Sequence, residues 1–313
     1  MPPPAALTAP DGTPISRFCF GTMQFGGKAD AADARAMYGA CRAAGINFFD
    51  TAHGYTEGQS EELLGQLAAP ERDTLFIATK CAFPGGSGGA HITAQFDESR
   101  RRLGMEIVDL LYLHRWDDDV PLEETFEALA AMVESGRVRH IGVSNFSAWQ
   151  TMKAARIAAD FSLSIAMLQP MYNLVKRQAE VEILPMAQSE GFAVVPYSPL
   201  GGGLLTGKYG RGDGGRLVDD AMYKSRYGQD WMHEAATALG QIAAERGVSP
   251  ITLAVAWVAR NPAIAAPIIS GRNADQLQPS LDALCFAMDD ALYDRLTALT
   301  PTPPPATDRS EEA

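Results

Sequence analysis

Short β-rich runs alternate along this chain with amphipathic helical patterns, at close to the ~30 residues that one strand–helix unit occupies. The β-rich runs are Phe18–Gly21, Ile46–Asp50, Leu75–Lys80, Val108–His114, His140–Ser144, Ala166–Gln169, Ala193–Tyr197 and Ala265–Ile269. Between them, apolar residues recur at three- and four-residue steps over Ala31–Ala44, Ser60–Ala68, Thr93–Leu103, Leu122–Ser135 and Ala148–Ala159, which is helical spacing. Strands separated by helices run parallel, and eight such units predict an α/β fold of the (β/α)8 TIM-barrel class. The competing architecture is an open, doubly wound sheet, which would carry a GxGxxG turn after its first strand if it bound a dinucleotide. No such turn is present. Gly202 to Lys208 fits the GxxxxGK part of a phosphate loop, but Tyr209 stands where a Ser or Thr hydroxyl is required.

One interval breaks the rhythm. Strand ends fall at residues 50, 80, 114, 144, 169 and 197, and the next only at 269. The added chain holds a Gly-rich stretch and a helical pattern over Trp231–Arg246, so a long functional loop is expected after the seventh strand. Asp11-Gly12 is a turn signal and predicts a short N-terminal hairpin ahead of the barrel. Pro301–Ala313, Pro-rich and then charged, reads as a flexible tail. The expected organisation is a single barrel domain over residues 1–313, with its core from about 15 to 299.

In a parallel barrel, chemistry gathers at the carboxyl ends of the strands. Six consecutive predicted strands finish there on polar or ionisable side chains: Asp50, Lys80, His114, Ser144, Gln169 and Tyr197. Each alone has an ordinary explanation, such as a helix cap for Asp50 or a solvated end for Lys80. A ring of them around one opening is costly without a partner, and so predicts a site.

Composition narrows the partners. The formal net charge is −12 and no Lys/Arg run is dense, which argues against nucleic acid. No stretch approaches the ~20 apolar residues of a membrane span. The four cysteines, Cys19, Cys41, Cys81 and Cys285, form neither a CxxC pair nor a Cys/His cluster. They read as scattered core thiols in a reducing, cytoplasmic setting, with no metal site.

The ordered blocks Gly21-Thr22-Met23, Asp50-Thr51-Ala52-His53-Gly54-Tyr55 with Ser60-Glu61, Lys80, and Leu111-Tyr112-Leu113-His114 resemble the aldo-keto reductases. So do Ile141-Gly142-Val143-Ser144-Asn145-Phe146, Gln169-Pro170-Met171-Tyr172-Asn173, Tyr197-Ser198-Pro199-Leu200 and Pro267-Ile268-Ile269. The resemblance spans roughly Ile15 to Leu299. It implies a catalytic tetrad of Asp50, Tyr55, Lys80 and His114 in an enzyme that reduces an aldehyde or ketone with NADP(H), NAD(H) being the lesser alternative. Tyr55 would donate the proton that a developing alkoxide needs. Free tyrosine titrates near ~10, so an adjacent ammonium, Lys80, is expected to favour its release.

The resemblance also implies a cofactor set. Thr22, Asp50, Ser144, Asn145 and Gln169 would surround the nicotinamide, with Tyr197 stacked on it. Ser198, Leu200, Gly203 and Lys208 would cover the pyrophosphate, and Ser270, Gly271, Arg272, Gln276 and Ser280 would meet the adenosine side. Arg272 points to a 2′-phosphate, because guanidinium grips phosphate with two donors. Ser270-Gly271 departs from the family's more usual Gly-Ala order, and Ser280 stands where Asn is frequent. Met23, Phe25, Arg115 and Trp116 follow the first and fourth strands and are candidates for the substrate pocket. Arg115 suggests a polar or anionic substrate unless Asp117, Asp118 or Asp119 pairs with it. Two alternatives to the reductase stand beside it: an NAD(P)-dependent dehydrogenase acting on an alcohol or sugar at the same site, and a cofactor-sensing accessory subunit of a membrane channel, against which the intact tetrad argues.

Overall fold

Eight parallel strands follow one another in chain order around a single sheet: β1 Cys19–Gly21, β2 Phe48–Asp50, β3 Phe76–Cys81, β4 Val108–Leu113, β5 Val138–Ser144, β6 Ile165–Gln169, β7 Ala193–Val194 and β8 Ile268–Ile269. The computed structural model describes residues 7–209, 220–307 and 309. β8 pairs with β1. The ring is closed on its other side by Val194 bridging Ile264, and by the Ala265 and Ile268 N–H groups donating to the Val194 and Pro196 carbonyls at 2.9 Å. The last two strands are shorter than their apolar runs predict. Pro196 and Pro267 interrupt those runs, and a proline has no N–H to give a ladder.

Helices cover the outside: α1 Ala31–Ala43, α2 Gln59–Ala68, α3 Gly89–Leu103, α4 Leu122–Glu134, α5 Ala148–Asp160, α6 Ile183–Glu190, α7 Ala221–Tyr227, α8 Asp230–Arg246, α9 Pro250–Arg260, α10 Ala274–Asp282 and α11 Asp290–Thr297. Six of these eleven start on a side-chain cap, from Asp30, Ser147, Asp220, Ser249, Asn273 and Asp289. Ser147 and Gln150 form a reciprocal capping box on α5, and Ser249 caps α9 ahead of Pro250 at its first position.

Strand alternation divides the core in two. Phe48, Phe76, Leu110, Tyr112 and Met167 fill the barrel, while Phe49, Ile77 and Leu111, one residue on or back, face the helices. The predicted hairpin is present: Thr8 pairs antiparallel with Pro14, and Leu7 and Ile15 pack on the inner core at the amino-terminal end of the strands. Arg139 Nη1 donates to the Thr8 carbonyl at 2.7 Å and fastens the hairpin there. That end is plugged, so a ligand has the carboxyl end to enter.

Cys19, Cys41 and Cys81 are buried as expected, but Cys285, in the turn after α10, is exposed. Of the predicted tail, residues 301–307 carry no helix or strand, and residues 308 and 310–313 lie outside the described residues. Among the described residues no single helix is long and apolar enough to cross a membrane.

Candidate active site

Parallel register places the strand ends side by side. Gly21 lies beside Asp50, Lys80 beside Tyr112, and Ser144 beside Gln169. From β3 the fully buried Lys80 extends Nζ to Asp50 Oδ2 at 2.5 Å, to the Thr51 carbonyl at 2.7 Å and to Tyr55 Oη at 3.3 Å. The other Asp50 oxygen accepts from Gln169 Nε2 at 2.9 Å. Asp50 is thus clamped between β3 and β6, and the ammonium it holds faces the Tyr55 hydroxyl.

The turn that presents Tyr55 is strained and heavily tied. Thr56 and Glu57 adopt left-handed conformations, with φ of 47° and 56°, which non-glycine residues seldom do. Thr56 Oγ1 donates to the Phe25 carbonyl at 2.7 Å and accepts from the Ser60 N–H at 3.0 Å. Arg102, from α3, donates to the His53 carbonyl at 3.0 Å. Beneath the turn, Ser60 Oγ joins Thr22 and Thr51 at 2.8 and 2.9 Å.

His114 follows β4 and sets its ring edge-on to Tyr55, centroids 5.9 Å apart. Its Nδ1 is buried without a partner. Burial, with the charges of Lys80 and Arg115 adding to it, pushes the imidazole down to about 3, so the ring is neutral. Burial opposes charge on Lys80 too, but Asp50 and Tyr55 outweigh it and hold the amine above the ordinary lysine value. Asp50 is raised by burial against the pull of Lys80 and Gln169. Tyr55 is also raised: burial outweighs the lowering charge of Lys80, and Asp50 reinforces burial. Here the structure corrects the simple electrostatic expectation. Lys80 favours phenolate, yet the protonated phenol is the resting form.

A second row of polar groups joins the remaining strand ends. Ser144 Oγ donates to the Gln169 carbonyl at 2.9 Å, and Asn145, at φ 58°, donates to the His114 carbonyl at 2.9 Å and to Ser144 Oγ at 3.1 Å. Tyr197 Oη donates to Asn145 Oδ1 at 2.7 Å.

These groups open on a cleft of about 740 Å³, a size suited to a substantial ligand. Its far side is formed by Ser198, Leu200, Gly203 and Lys208 after β7, and by Ser270, Gly271, Arg272, Gln276 and Ser280 after β8. Gly202 needs to be glycine: at φ 64°, an added Cβ would lie 2.6 Å from the Tyr223 ring. Four buried side-chain polar atoms among the described residues lack a hydrogen-bond partner, and three of them, His114 Nδ1, Ser270 Oγ and Ser280 Oγ, belong to residues of this cleft. Each such atom costs about 1–3 kcal/mol. Orphan hydroxyls in one cleft with Lys208 and Arg272 fit a polar, phosphorylated ligand, which a nicotinamide dinucleotide is.

The expected residues do not all meet there. Met23 lines the cleft. Phe25 does not: it is fully buried against Phe20, centroids 5.6 Å apart, in the layer between strands and helices. Trp116 also stands outside, packed on Phe146 and Trp149 with Nε1 donating to Asp118. Arg115 does not line the cleft either; its guanidinium lies 4.5 Å over the ring of Phe83, which does. Thr22 lies fully buried beneath Asp50, donating to its carbonyl at 3.2 Å. Sequence reasoning missed Phe83 and the α7 residues Met222, Tyr223 and Arg226, all of which line the cleft.

The Aldo/keto reductase family profile matches residues 17–301 of this chain. A probable voltage-gated potassium channel subunit beta of Oryza sativa subsp. japonica is 32% identical over 328 aligned residues, covering 95% of this chain and 96% of its own. L-glyceraldehyde 3-phosphate reductase of Escherichia coli (strain K12) is 33% identical, with 77% and 75% covered. Norsolorinic acid reductase B of Dothistroma septosporum is 30% identical, with 92% and 79% covered.

Proposed function

The chain belongs to the aldo/keto reductase family and is an oxidoreductase acting on carbonyl compounds; we propose that it reduces an aldehyde or ketone to the alcohol with NADPH, Tyr55 being the proton donor. When bound, the nicotinamide supplies hydride to the carbonyl carbon. Ser144, Asn145 and Gln169 orient it, Tyr197 backs its ring, and Lys208 and Arg272 meet its phosphates. The carbonyl oxygen lies between Tyr55 and His114. As negative charge grows on that oxygen, Tyr55 releases its proton to it, and the Lys80 ammonium stabilises the phenolate left behind. Asp50, fixed by Gln169, keeps Lys80 charged and aimed. His114, neutral, contributes a hydrogen bond without repelling Lys80. On this reading the chain works as one barrel unit on a small molecule in the cytoplasm.

The observation that carries the proposal is Lys80 Nζ placed between Asp50 at 2.5 Å and Tyr55 at 3.3 Å, in one cleft with His114. Tyr55→Phe is expected to lower kcat by at least about 10²-fold while NADPH still binds by fluorescence titration. Wild-type turnover in that variant ends the assignment. The plant relative's name favours a second reading, a cofactor-sensing channel subunit. Repeated turnovers after the first burst with a reactive aldehyde argue for the enzyme; a burst alone argues for the sensor. Assays in both directions separate reductase from dehydrogenase.

A further inference from the structure

Glu61 follows Ser60 in the first turn of α2, is fully buried, and takes no part in the tetrad. A buried carboxylate is costly unless it is both paired and hydrogen-bonded. The partners of Glu61 lead to the two halves of the proton donor. Its Oε1 accepts from Thr79 Oγ1 at 2.7 Å, and Thr79 is the β3 residue next to Lys80. Its Oε2 faces Arg102 Nη1 at 3.4 Å, and the same nitrogen donates to the His53 carbonyl at 3.0 Å, at the entrance to the turn that carries Tyr55. Arg102 Nε is held by Glu98, one helical turn earlier on α3, at 3.0 Å.

Arg102 also fits against the turn itself. Gly58 ends the turn at φ 95°, and an added Cβ there would lie 2.5 Å from Arg102 Cζ, so the guanidinium rests on bare backbone. Gly65 allows this approach, because a Cβ at that position of α2 would overlap the Leu103 carbonyl at the end of α3. Tyr55 needs such a hold. Thr56, Glu57 and Gly58 are consecutive residues at positive φ, a conformation that the two non-glycine residues keep only under constraint. On the cleft side the Tyr55 hydroxyl meets Lys80 Nζ at 3.3 Å, the longest of the three contacts that amine makes. Lys80 is fixed by Asp50 and the Thr51 carbonyl, so the length of the Tyr55 contact is set from the turn.

We propose that Arg102 and Glu61 are positioning residues for the proton donor: together they tie the Tyr55 turn to the strand that bears Lys80, and so fix the separation of phenol and ammonium. The proposal rests on the reductase reading. Neither side chain lines the cleft, so both act through the backbone. Arginine suits the task because its planar fork serves the His53 carbonyl, Glu61 and Glu98 at once, whereas a lysine ammonium is a compact point charge on a flexible stem.

The test measures turnover of a reactive aldehyde with NADPH, counted per site titrated by NADPH fluorescence, alongside urea midpoints. Arg102→Met strands the Glu61 carboxylate and is expected to lower both the midpoint and kcat. Arg102→Lys can still pair with Glu61. It is expected to recover most of the midpoint while kcat stays about tenfold or more below the wild type, because a small displacement of a reacting group costs at least that much. The KM for aldehyde and the Kd for NADPH stay near their wild-type values, so the loss is confined to the chemical step. The solvent deuterium isotope effect on kcat rises, since proton transfer from a displaced Tyr55 takes a larger share of the barrier. A kcat that returns to the wild-type value together with the midpoint in Arg102→Lys means that the pair only stabilises the fold, and overturns the proposal. So does a lowered kcat with an unmoved isotope effect. Should Arg102→Met fail to fold, Glu61→Gln, which keeps the side-chain volume and the Thr79 bond, is the second variant: a lowered kcat with a raised isotope effect supports the proposal, and wild-type values of both overturn it. Tyr55→Phe separates this inference from the reading beneath it. If that variant turns over like the wild type, the role of Tyr55 fails and this inference with it; an inactive Tyr55→Phe beside a fully active Arg102→Lys removes this inference alone.

Discussion

His114 is neutral in the folded protein because burial, aided by Lys80 and Arg115, lowers its pKa from 6.5 to about 3. In the unfolded chain the same ring takes up a proton near 6.5. Between those values the unfolded state therefore binds more protons than the folded one, and stability falls as pH falls through this window. One such group contributes a slope of up to about 1.4 kcal/mol per pH unit. Urea midpoints for the wild type are expected to drop more steeply than those of His114→Gln on acidification from about pH 7 to 4.5. Parallel curves would mean that the imidazole is not the buried neutral base described above. The same neutrality matters for the proposed chemistry: a cationic ring beside the Lys80 ammonium would be repelled, whereas a neutral one can sit there as a hydrogen-bonding wall.

The β8–α10 unit shows how a strand, a tight loop and a helix together make a binding surface that no single residue supplies. Asn273 caps α10 by accepting from the Gln276 N–H at 2.9 Å. Gly271 lies so close to the helix that an added Cβ would sit 3.1 Å from the Asn273 carbonyl oxygen and 3.2 Å from Leu277 Cβ. The loop thus brings Ser270 and Arg272 to the cleft beside the first turns of the helix. If Arg272 meets a 2′-phosphate, Arg272→Ala lowers the ratio of NADPH to NADH affinity by about tenfold or more, the loss of a charge-assisted pair. An unmoved ratio, read by fluorescence titration with each cofactor, removes Arg272 from that role. The strand of this unit was legible from its apolar run, and its loop residues from the family resemblance. Asp50, Lys80 and His114 were legible as strand ends, since the last residues of parallel strands share a rim whatever their distance along the chain, whereas Tyr55, in the turn after β2, came from the family resemblance alone. α7 was not legible. Its seven residues are too few for a 3.6-residue period to emerge, and it is held by the Asp220 cap and by burial of Tyr227. Arg226 and Tyr223 were missed with it. Phe25 was misassigned because sequence order places it just after β1 but does not say which way the chain turns, and it turns inward onto Phe20.

The barrel divides its labour between two ends, and the division can be tested at the closed one. Asp109, fully buried near the start of β4, accepts from the Ile77 N–H at 2.8 Å and from Arg72 and Arg139, each at 2.7 Å. Arg139 also fastens the hairpin through the Thr8 carbonyl. One carboxylate therefore ties β3, β4 and β5 to the plug beneath the barrel. Replacing it with an amide leaves two guanidinium groups facing a neutral partner, a change that costs about 3–5 kcal/mol when a buried pair loses one member. Asp109 lies on the same strand as the His114 approach, five residues earlier, which at ~3.3 Å per residue is roughly 16 Å from the cleft. Asp109→Asn is thus expected to lower the urea midpoint clearly while leaving the KM for aldehyde and the Kd for NADPH near their wild-type values. Tyr55→Phe is expected instead to leave the midpoint in place and lower kcat with NADPH affinity kept, because its hydroxyl touches Lys80 alone and its ring packing survives. If instead Asp109→Asn shifted KM with no loss of stability, the strands would be transmitting strain along their length, and the rim could no longer be treated as a site built on a rigid, independently stabilised frame.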